Sequence, residues 1–272
     1  MTAGLGRPYR IIATGFCFGV FGLLGLFILC VIVPLASFVW PKTPASRQRV
    51  RNILQGGMRW FTQLMVVCGV ISLEVRHKER LARNGLLIVA NHPSLIDVVL
   101  LIGLLRRPNC VVKASLKTNL FTRGPVKCGG FIVNSDGPQF VEDSIASVRA
   151  GDSLVIFPEG TRSITHDGVL SPMKRGAANI ALRGNIDLTP VVITVSEPAL
   201  GKGLAWYRAP VRRPHFVLDV KDEISVAAYA GDAPSVAART LTRDLDAFLT
   251  QDILQRISRV SPESGDSPAK CA

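Results

Sequence analysis

The N-terminal part of this chain contains an apolar run that limits where the chain can reside. From Ile11 to Trp40 no residue carries a charge. An α-helix rises about 1.5 Å per residue, so about 20 apolar residues cross the hydrocarbon core of a bilayer. The run predicts a retained membrane segment, either one tilted span ending near Pro34 or two half-inserted helices turning at Gly22–Gly25. A cleavable signal peptide is the alternative, but its apolar core is normally only about 7–15 residues long.

Basic residues flank the apolar run on both sides. Arg7 and Arg10 precede it, and no acidic residue occurs between the run and Glu74. The cations that follow the run are Lys42, Arg47, Arg49, Arg51 and Arg59. By the positive-inside rule, this distribution predicts a membrane protein whose folded domain faces the cytoplasm. A monotopic hairpin satisfies the same charges.

The overall charge of the chain indicates anionic partners. The formal net charge is +12 and the isoelectric point is about 9.9. Cations beside an apolar anchor are attracted to anionic lipid by about 1 kcal/mol each near the surface. No RNA-binding fingerprint and no interleaved run of aromatic and basic residues occurs, so we predict membrane lipids and acidic carriers as partners, and no nucleic acid.

The six cysteines show neither a CxxC pair nor zinc spacing with the four histidines, so no metal is expected.

The chain divides into three predicted segments. Residues 1–69 form the membrane anchor and an amphipathic interfacial helix, residues 70–260 form the catalytic domain, and residues 261–272 are a disordered tail. In the interfacial helix, apolar residues recur at helical spacing at Val50, Ile53, Leu54, Met58, Phe61 and Leu64. Its polar residues fall largely on other faces, namely Arg49, Arg51, Asn52, Gln55 and Arg59. An ordinary helix packed on the domain is the alternative.

The catalytic domain has the pattern of an α/β fold with a largely parallel central sheet flanked by helices. Short apolar runs alternate with helix-length segments, and near-continuous apolar strands such as LVIF indicate buried parallel pairing. The predicted strands are Ile71–Val75, Leu86–Ala90, Cys110–Lys113, Gly130–Val133, Ser153–Phe157, Thr189–Val195 and His215–Val220. The predicted helices are Ser94–Leu105, Phe140–Ala150, Lys174–Leu182 and Ser235–Gln255.

The segment NHPSLID, Asn91–Asp97, supplies a histidine and a carboxylate five residues apart. In a continuous helix these side chains would lie about 140° apart. Pro93, however, disfavours helical geometry for the residue before it and suits the first helical position. We therefore predict that His92 precedes the helix, that Asp97 lies one turn inside it, and that the imidazole folds back onto the carboxylate. Such a dyad can act as a general base, with Asp97 orienting His92.

These residues and a second motif resemble the glycerolipid acyltransferase family, which includes bacterial 1-acyl-glycerol-3-phosphate acyltransferases. The family's first block, N-H-x4-D, is present as Asn91, His92 and Asp97. Its third block, F-P-E-G-T-R-S, is present in full at Phe157–Ser163, and its fourth, an apolar strand around a proline, resembles Thr189–Ile193. The similarity covers roughly residues 86–195.

The resemblance implies a reaction and a set of site residues. His92 would activate the acceptor hydroxyl for attack on an acyl thioester, with Asp97 orienting it and no acyl-enzyme. The substrate-binding residues would be Asn91, Lys113, Glu159, Gly160, Thr161 and Arg162. The donor would be acyl carrier protein or coenzyme A carrying a fatty acyl group, and no cofactor would be bound. The acceptor would be a lysolipid, foremost 1-acyl-glycerol-3-phosphate, and the enzyme would lie on the cytoplasmic side of a bacterial inner membrane.

The chain departs from the family pattern in the second block. Lys113 and the stretch Gly124–Gly130 fit the pattern, but the block ends in Asn134, Ser135 and Asp136 without the usual arginine. The loss of one charge-assisted contact to a phosphate costs about 1.5–3 kcal/mol. The acceptor is therefore either lysophosphatidate, with Lys113, Lys117 or Arg123 compensating, or a different lysolipid or hydroxylated lipid.

Two other classes of protein compete with this interpretation. A serine hydrolase could use Ser94, or Ser171 and Lys174 in an S-x-x-K pattern, but the partner motifs S-D-N, K-T-G and G-x-S-x-G are missing. A non-catalytic membrane-binding module would need the anchor and no histidine–aspartate dyad. A basic pair, Arg212 and Arg213, offers a hypothetical docking surface for an acidic carrier protein or is simply a solvated surface.

Overall fold

The structure is a computed structural model of the 272-residue chain. It describes residues 6–39, 41, 43–119, 122–134, 137–163, 171–197, 199–201 and 203–260. The predicted disordered tail, residues 261–272, lies outside the described residues.

Nine α-helices and seven strands are found in the described part of the chain. The helices are α1 (Arg7–Phe27), α2 (Val33–Val39), α3 (Pro44–Val67), α4 (Asp97–Leu104), α5 (Ser115–Thr118), α6 (Arg123–Gly129), α7 (Pro138–Arg149), α8 (Gly176–Gly184) and α9 (Pro234–Val260). The strands are β1 (Ser72–Arg76), β2 (Leu87–Ala90), β3 (Pro108–Lys113), β4 (Ile132–Asn134), β5 (Ser153–Ile156), β6 (Leu188–Val195) and β7 (His215–Val220). A π-helical segment, Ile28–Ile32, joins α1 to α2.

The seven strands form one sheet in the order β1-β7-β6-β2-β5-β3-β4. Five strands, from β6 to β4, are parallel, while β7 pairs antiparallel to β6 and β1 pairs parallel to β7. This confirms the predicted α/β class and the largely parallel sheet. All seven predicted strands are present, with boundaries shifted by no more than two residues at either end. The sheet carries the site, because β5 lies between β2 and β3 and brings two distant loops together.

Two apolar layers cover the faces of the sheet. Along β2, Ile88 and Ala90 belong to the core shared with α3 and α4. Leu87 and Val89 belong to the core shared with α7, α8 and α9. Because successive strand residues point to opposite faces, a strand with no exposed residue must be covered on both sides. The domain is therefore a three-layer sandwich of helices, sheet and helices.

The N-terminal apolar segment runs antiparallel to α3. Phe21 packs against Phe61 with ring centroids 4.7 Å apart and the rings tilted, and Ile28 packs with Val50 and Leu54 further along α3. The helix α1 continues through Gly22 and Gly25, so the predicted alternative of a turn there is wrong. Successive backbone hydrogen bonds hold the chain in one helix, because no proline lies between Pro8, in the first turn, and Pro34 to interrupt them.

By length and composition, Arg7–Leu35 is apolar enough to cross a membrane. Only 11% of its most apolar stretch is buried against the rest of the protein. The apolar side chains that it exposes include Ile12, Phe16, Leu23, Phe27, Val31 and Leu35. This exposed apolar surface favours a membrane environment, since contiguous apolar patches on proteins mark membrane or partner contacts.

The helix predicted to be interfacial, α3, packs firmly on the domain. Phe61 and Met65 are fully buried, and the helix crosses α4 so closely that a Cβ on Gly103 would lie 3.2 Å from the Arg59 backbone. Ile53 and Trp60 remain exposed on another side. The structure therefore agrees with the alternative of a helix packed on the domain, and the interfacial position stays a prediction.

Arg51 is the exception to the expected polar face of α3. It was predicted away from the apolar stripe, but its side chain is buried and donates to Asp152 Oδ2 over 2.8 Å and to the Gly129 carbonyl over 3.3 Å. Asp152 also accepts from Arg107 Nη2 over 3.1 Å and from Ser147 Oγ over 2.9 Å. The expectation was wrong because a buried carboxylate on a different segment requires a cation, which helical spacing alone does not reveal.

We predict that Arg51→Met lowers the free energy of unfolding by about 3 kcal/mol, because it leaves the buried Asp152 carboxylate with Arg107 as its remaining cation. Chemical denaturation of the detergent-solubilised protein, followed by circular dichroism, measures this change. Arg59→Met, at an exposed position of the same helix, should stay within about 0.5 kcal/mol of wild type. Equal losses in the two variants would show that the ion pair does not anchor α3.

Candidate functional site

The site lies at the carboxyl edge of the parallel strands. β2 ends at Ala90 and is followed by Asn91 and His92, while its neighbour β5 ends at Ile156 and is followed by the loop Phe157–Ser163. Parallel neighbours end at the same edge of a sheet, so the two motifs meet there although they are far apart in sequence. Ligands of open α/β sheets characteristically bind at this edge.

His92 and Asp97 form the predicted pair. The Nδ1 atom of His92 lies 2.8 Å from Asp97 Oδ2, and the Asp97 side chain is fully buried whereas His92 is 17% exposed. The carboxylate can only accept hydrogen bonds, so Nδ1 carries a proton, and in the neutral imidazole Nε2 is the unprotonated nitrogen. Phe157 stacks on the imidazole with ring centroids 4.3 Å apart. The geometry holds the ring with a basic nitrogen directed away from the carboxylate.

The helix α4 begins later than predicted. Its first residue is Asp97, so Asp97 is not one turn inside the helix and Pro93 is not at the first helical position. Ser94 accounts for the difference: its Oγ donates to Asp97 Oδ1 over 2.5 Å, and its backbone N–H donates to Asp97 Oδ2 over 2.6 Å. Serine and aspartate side chains that bond to the local backbone stabilise turns in competition with helix. The resulting turn lets Asp97 reach back to His92.

Burial raises the pKa of Asp97 above the usual value for aspartate, and the hydrogen bonds from His92 and Ser94 oppose this effect. Three donors converge on its two oxygens, an arrangement that only the carboxylate form satisfies completely. The buried negative charge is therefore available to stabilise a positive charge on the imidazole when Nε2 accepts a proton.

The loop after β5 clamps the backbone of His92. Glu159 Oε1 and Ser163 Oγ each accept from the His92 backbone N–H over 3.2 Å, and the Ser163 N–H donates to the His92 carbonyl over 2.8 Å. Ser163 Oγ also donates to Glu159 Oε1 over 2.6 Å. The third motif therefore fixes the position of His92 through both backbone polar groups of that residue.

Glu159 is held by protein donors at both oxygens. Its side chain is only 4% exposed, and Oε2 accepts from the Ser171 N–H over 3.3 Å. Burial raises the pKa of Glu159, and its hydrogen bonds oppose this effect. That Glu159 contacts an acceptor stays a prediction, whereas its contacts identify it as a residue that positions the loop and the dyad.

Arg162 is directed towards a neighbouring loop. Its Nη1 donates to the carbonyls of Leu200 and Gly201 over 3.2 and 3.0 Å. The arginine is half-buried and joins the third motif to the loop that follows β6. A phosphate contact by Arg162 stays a prediction.

Gly160 adopts a left-handed backbone conformation, with φ +64°, that favours glycine. A Cβ at this position would lie 3.3 Å from Cε and 3.5 Å from Nζ of Lys174. Lys174 is exposed and is tied to the loop by its N–H, which donates to the Pro158 carbonyl over 2.9 Å. Thr161 lies half-buried between Gly160 and Arg162. The loop thus places the exposed Lys174 beside the backbone of Gly160, which carries no side chain.

Asn91 is engaged with the adjacent strand. Its amide donates to the Ile193 carbonyl over 2.8 Å and accepts from the Ile193 N–H over 2.7 Å. The side chain is only 1% exposed and extends the β2–β6 ladder by one pair of hydrogen bonds. These contacts explain the requirement for asparagine before His92, since it needs one donor and one acceptor at once. Contact with substrate stays a prediction for Asn91.

The second block lies further along the edge. Lys113 ends β3 and is exposed, and Lys117 and Arg123 follow on α5 and α6. The deviant end of the block, Ser135 and Asp136, lies outside the described residues. The structure therefore brings Asn91, His92, Asp97 and the third motif together, and leaves Lys113 two strands away from β2.

The contacts of Ser94 argue against the alternative interpretation as a serine hydrolase. Ser94 is fully buried and its hydroxyl donates to Asp97, so its oxygen does not face the imidazole nitrogen that would activate it. Among the residues that the structure describes, no group of three His, Cys, Asp or Glu side chains could hold a metal ion.

Sequence reasoning missed three contributors to the site. Phe157 stacks on His92, Lys174 lies over Gly160, and the carbonyls of Leu200 and Gly201 hold Arg162. Phe157 belongs to the third motif and directly follows β5, the strand beside β2. That position could have predicted its contact with His92. Lys174 appeared only within a chance S-x-x-K pattern, and the two carbonyls have no sequence signal at all.

The chain is thus a three-layer α/β domain with a histidine–aspartate dyad at the carboxyl edge of its sheet. The family model described as Acyltransferase matches residues 72–194. The 1-acyl-sn-glycerol-3-phosphate acyltransferase of Cocos nucifera is 32% identical over 196 residues, which is 70% of this chain and 60% of that protein. The Bacillus subtilis enzyme of the same name is 33% identical over 138 residues, 48% of this chain and 66% of that protein.

The Saccharomyces cerevisiae 1-acyl-sn-glycerol-3-phosphate acyltransferase is 30% identical over 151 residues, 50% of this chain and 47% of that protein. The chain thus spans about half to three fifths of the length of the yeast and coconut relatives. The crystal structure of the 1-acyl-sn-glycerophosphate acyltransferase PlsC from Thermotoga maritima superposes with a TM-score of 0.68 at 18% identity, over 93% of this chain and 100% of that one, which shows the fold. The chain belongs to the glycerolipid acyltransferase family.

The raised pKa of Glu159 predicts a pH dependence of stability. Above pH 4.5, the ordinary pKa of this carboxyl, the folded protein retains the proton longer than the unfolded chain does, so the free energy of unfolding falls as pH rises to the folded-state pKa. Glu159→Gln should show a shallower fall when unfolding is measured by chemical denaturation across this range. Glu142→Gln, an exposed carboxyl on α7, should keep the wild-type slope. Identical slopes for all three proteins would contradict the prediction.

Proposed function

We propose that this protein is an O-acyltransferase that moves a fatty acyl group from an acyl thioester to the hydroxyl of a lysolipid. The observation that carries the proposal is the dyad: buried Asp97 holds Nδ1 of His92, so that Nε2 is the basic nitrogen of the neutral imidazole. In the part of the chain described, no protein group binds Nε2. Such a nitrogen is available to take the proton of an acceptor hydroxyl.

The reaction follows from this geometry in one exchange of bonds. His92 Nε2 accepts the hydroxyl proton while the hydroxyl oxygen attacks the thioester carbonyl carbon. The new carbon–oxygen bond forms, the carbon–sulfur bond breaks, and the proton on Nε2 passes to the departing sulfur. Asp97 stabilises the imidazolium while Nε2 carries the proton. General-base action of this kind contributes about 10²–10⁴-fold to the rate. No covalent acyl-enzyme is needed. The burial of Ser94 supports this direct route, because a buried hydroxyl is not accessible as a nucleophile.

The remaining site residues position the dyad or receive the acceptor. Asn91, Glu159 and Ser163 hold the chain on either side of His92, as their hydrogen bonds indicate. We assign acceptor binding to the exposed rim of the loop, where Gly160 and Thr161 lie beside Lys174, together with Lys113 and Arg162. A guanidinium or ammonium group suits a phosphate head group.

The leading acceptor is 1-acyl-glycerol-3-phosphate, with phosphatidate as the product. The relatives from yeast, coconut and Bacillus subtilis are named for this acceptor, which supports the assignment. The alternative is a different lysolipid, since the second block lacks the arginine that the family pattern carries. The donor would be acyl carrier protein or coenzyme A, with no bound cofactor or metal.

The exposed apolar surface of α1 and α2 supports work at a membrane. Lysolipids partition into the bilayer while thioester donors are soluble, so the enzyme must work where the two meet. We propose attachment through the N-terminal segment, with the catalytic domain on the cytoplasmic side of a bacterial inner membrane, as the flanking cations suggest. Membrane flotation and protease accessibility of the tagged C-terminus test the attachment and the side.

We predict that His92→Ala lowers acyl transfer by about 10²–10⁴-fold and that Asp97→Asn also lowers it strongly, because the asparagine neither fixes the tautomer nor stabilises the imidazolium. His92→Ala should still unfold cooperatively on heating, at a somewhat lower temperature because Asp97 loses one donor, which separates lost chemistry from lost folding. Full transfer by a folded His92→Ala variant would exclude His92 as the base.

The acceptor is identified by offering labelled acyl carrier protein and acyl coenzyme A against lysophosphatidate and a panel of other lysolipids. We expect product from lysophosphatidate that His92→Ala does not form. Product from another acceptor alone would retain the mechanism and replace the substrate. Absence of transfer to every acceptor by folded wild-type protein would refute the proposed function.

A further inference from the structure

A large basic groove lies beside the edge strand β4, remote from the dyad. It has a volume of about 1470 Å³ and is bounded by α3, α6, α7 and the strands β3 and β4. The cations that line this basic groove are Arg47, Arg51, Arg107, Lys117, Arg123 and Lys127. The two acidic residues in its wall are Asp143 and Asp152. Six cations against two carboxylates leave a formal charge of +4.

The excess charge lies on side chains that are exposed to the groove. Asp152 is neutralised by Arg51 and Arg107, and Asp143 accepts from the amide of Gln139 over 2.7 Å. The four other cations are exposed and make no ion pair within the described part of the chain; they are Arg47, Lys117, Arg123 and Lys127. Like charges gathered around one concave surface repel one another, so a multivalent anion in the groove would relieve this repulsion.

The groove lies too far from His92 to hold the phosphate of the acceptor. β4 is the third strand from β2 in the order β2-β5-β3-β4. With adjacent strands about 4.8 Å apart, the edge strand is about 14 Å from the strand that carries His92. Arg107, Asn109 and Asp152 in the groove wall also lie at the amino ends of β3 and β5, whereas His92 lies at the carboxyl edge. In 1-acyl-glycerol-3-phosphate the reacting hydroxyl and the phosphate are on neighbouring carbons. A substrate phosphate in this groove must therefore belong to a molecule whose reacting atom is on a long arm.

An acyl thioester donor has this shape. In acyl carrier protein and in coenzyme A alike, the sulfur is joined to a phosphate through the extended 4′-phosphopantetheine arm. We propose that the basic groove binds the phosphate of this arm, with Lys117, Arg123 and Lys127 as its cations, while the thioester reaches His92 from the end of the groove at Lys117, which follows the carboxyl end of β3. This inference rests on the proposed function and names the binding site of its donor.

The groove replaces the basic pair considered in the sequence as the carrier site. Arg213 is occupied in the structure, because it donates to the Ile71 and Val66 carbonyls over 2.7 and 2.6 Å. Arg212 alone remains exposed there. The groove in contrast combines several exposed cations with the apolar side chains of Val126, Phe131 and Val133, which suit the uncharged parts of the arm.

The test compares two inhibitors that differ in one phosphate. We expect 4′-phosphopantetheine to inhibit acyl transfer by the wild type at about tenfold lower concentration than pantetheine, a difference of about 1.4 kcal/mol. In the double variant Arg123→Gln/Lys127→Gln this ratio should fall towards one. The donor Michaelis constant should rise by about tenfold, with the acceptor Michaelis constant unchanged. The control Arg183→Gln/Arg239→Gln removes two exposed cations from α8 and α9 and should keep wild-type values.

Each result separates the possible sources of the charge. A rise in the Michaelis constant for both acyl carrier protein and acyl coenzyme A supports a shared phosphate site. A rise with acyl carrier protein alone, with the inhibitor ratio intact, would mean that the groove contacts the carrier surface and would overturn the phosphate assignment. Weaker binding to anionic vesicles with unchanged donor constants would reassign the groove to lipid. If wild-type protein transfers acyl groups and the double variant matches it throughout, the inference fails while the proposed function stands.

Discussion

The carboxylate of Glu159 is the point on which the two halves of the site depend. It accepts from the backbone of His92, from the hydroxyl of Ser163 and from the N–H of Ser171, and thereby ties the loop after β5 to the loop after β2. A buried carboxylate is costly unless its oxygens are satisfied, so a change in any one donor disturbs the others. The sequence predicts that the third motif is a substrate-binding loop. Its contacts show that it fixes the position of the His92 backbone.

The repetitive parts of the fold were predictable because they depend on local patterns. Continuous apolar runs such as the one from Leu87 to Ala90 determine buried strands whatever their neighbours are. The pairing of His92 with Asp97 was predictable too, because proline restricts the chain beside it. Where α4 begins was not, since Ser94 and Asp97 exchange hydrogen bonds that compete with the helix. Local competition of this kind shifts element boundaries without changing their order.

Contacts between distant segments account for what sequence reasoning missed. Arg51 looks like one of several surface cations on α3, and its burial follows from Asp152, a residue 101 positions further on. From the sequence, Arg162 resembles a free phosphate ligand. In the structure it donates to carbonyls of the 199–201 segment. A backbone carbonyl exists at every residue, so no residue type marks the ones that matter. The interfacial role expected of α3 met the same limit, because its apolar stripe satisfies a core as readily as a membrane.

The sheet order connects these observations to the chemistry. Since β5 lies between β2 and β3, the dyad sits near the middle of the sheet, and the cations of the second block lie towards its β4 edge. The N-terminal apolar segment packs along α3 and reaches α6, where Val33 approaches Gly124 at the border of the basic groove. Under the proposed function, a lysolipid and a long thioester arm would approach His92 from different sides. Acyl transfer without an acyl-enzyme requires both substrates at the base together, and separate approaches to one histidine would meet that requirement.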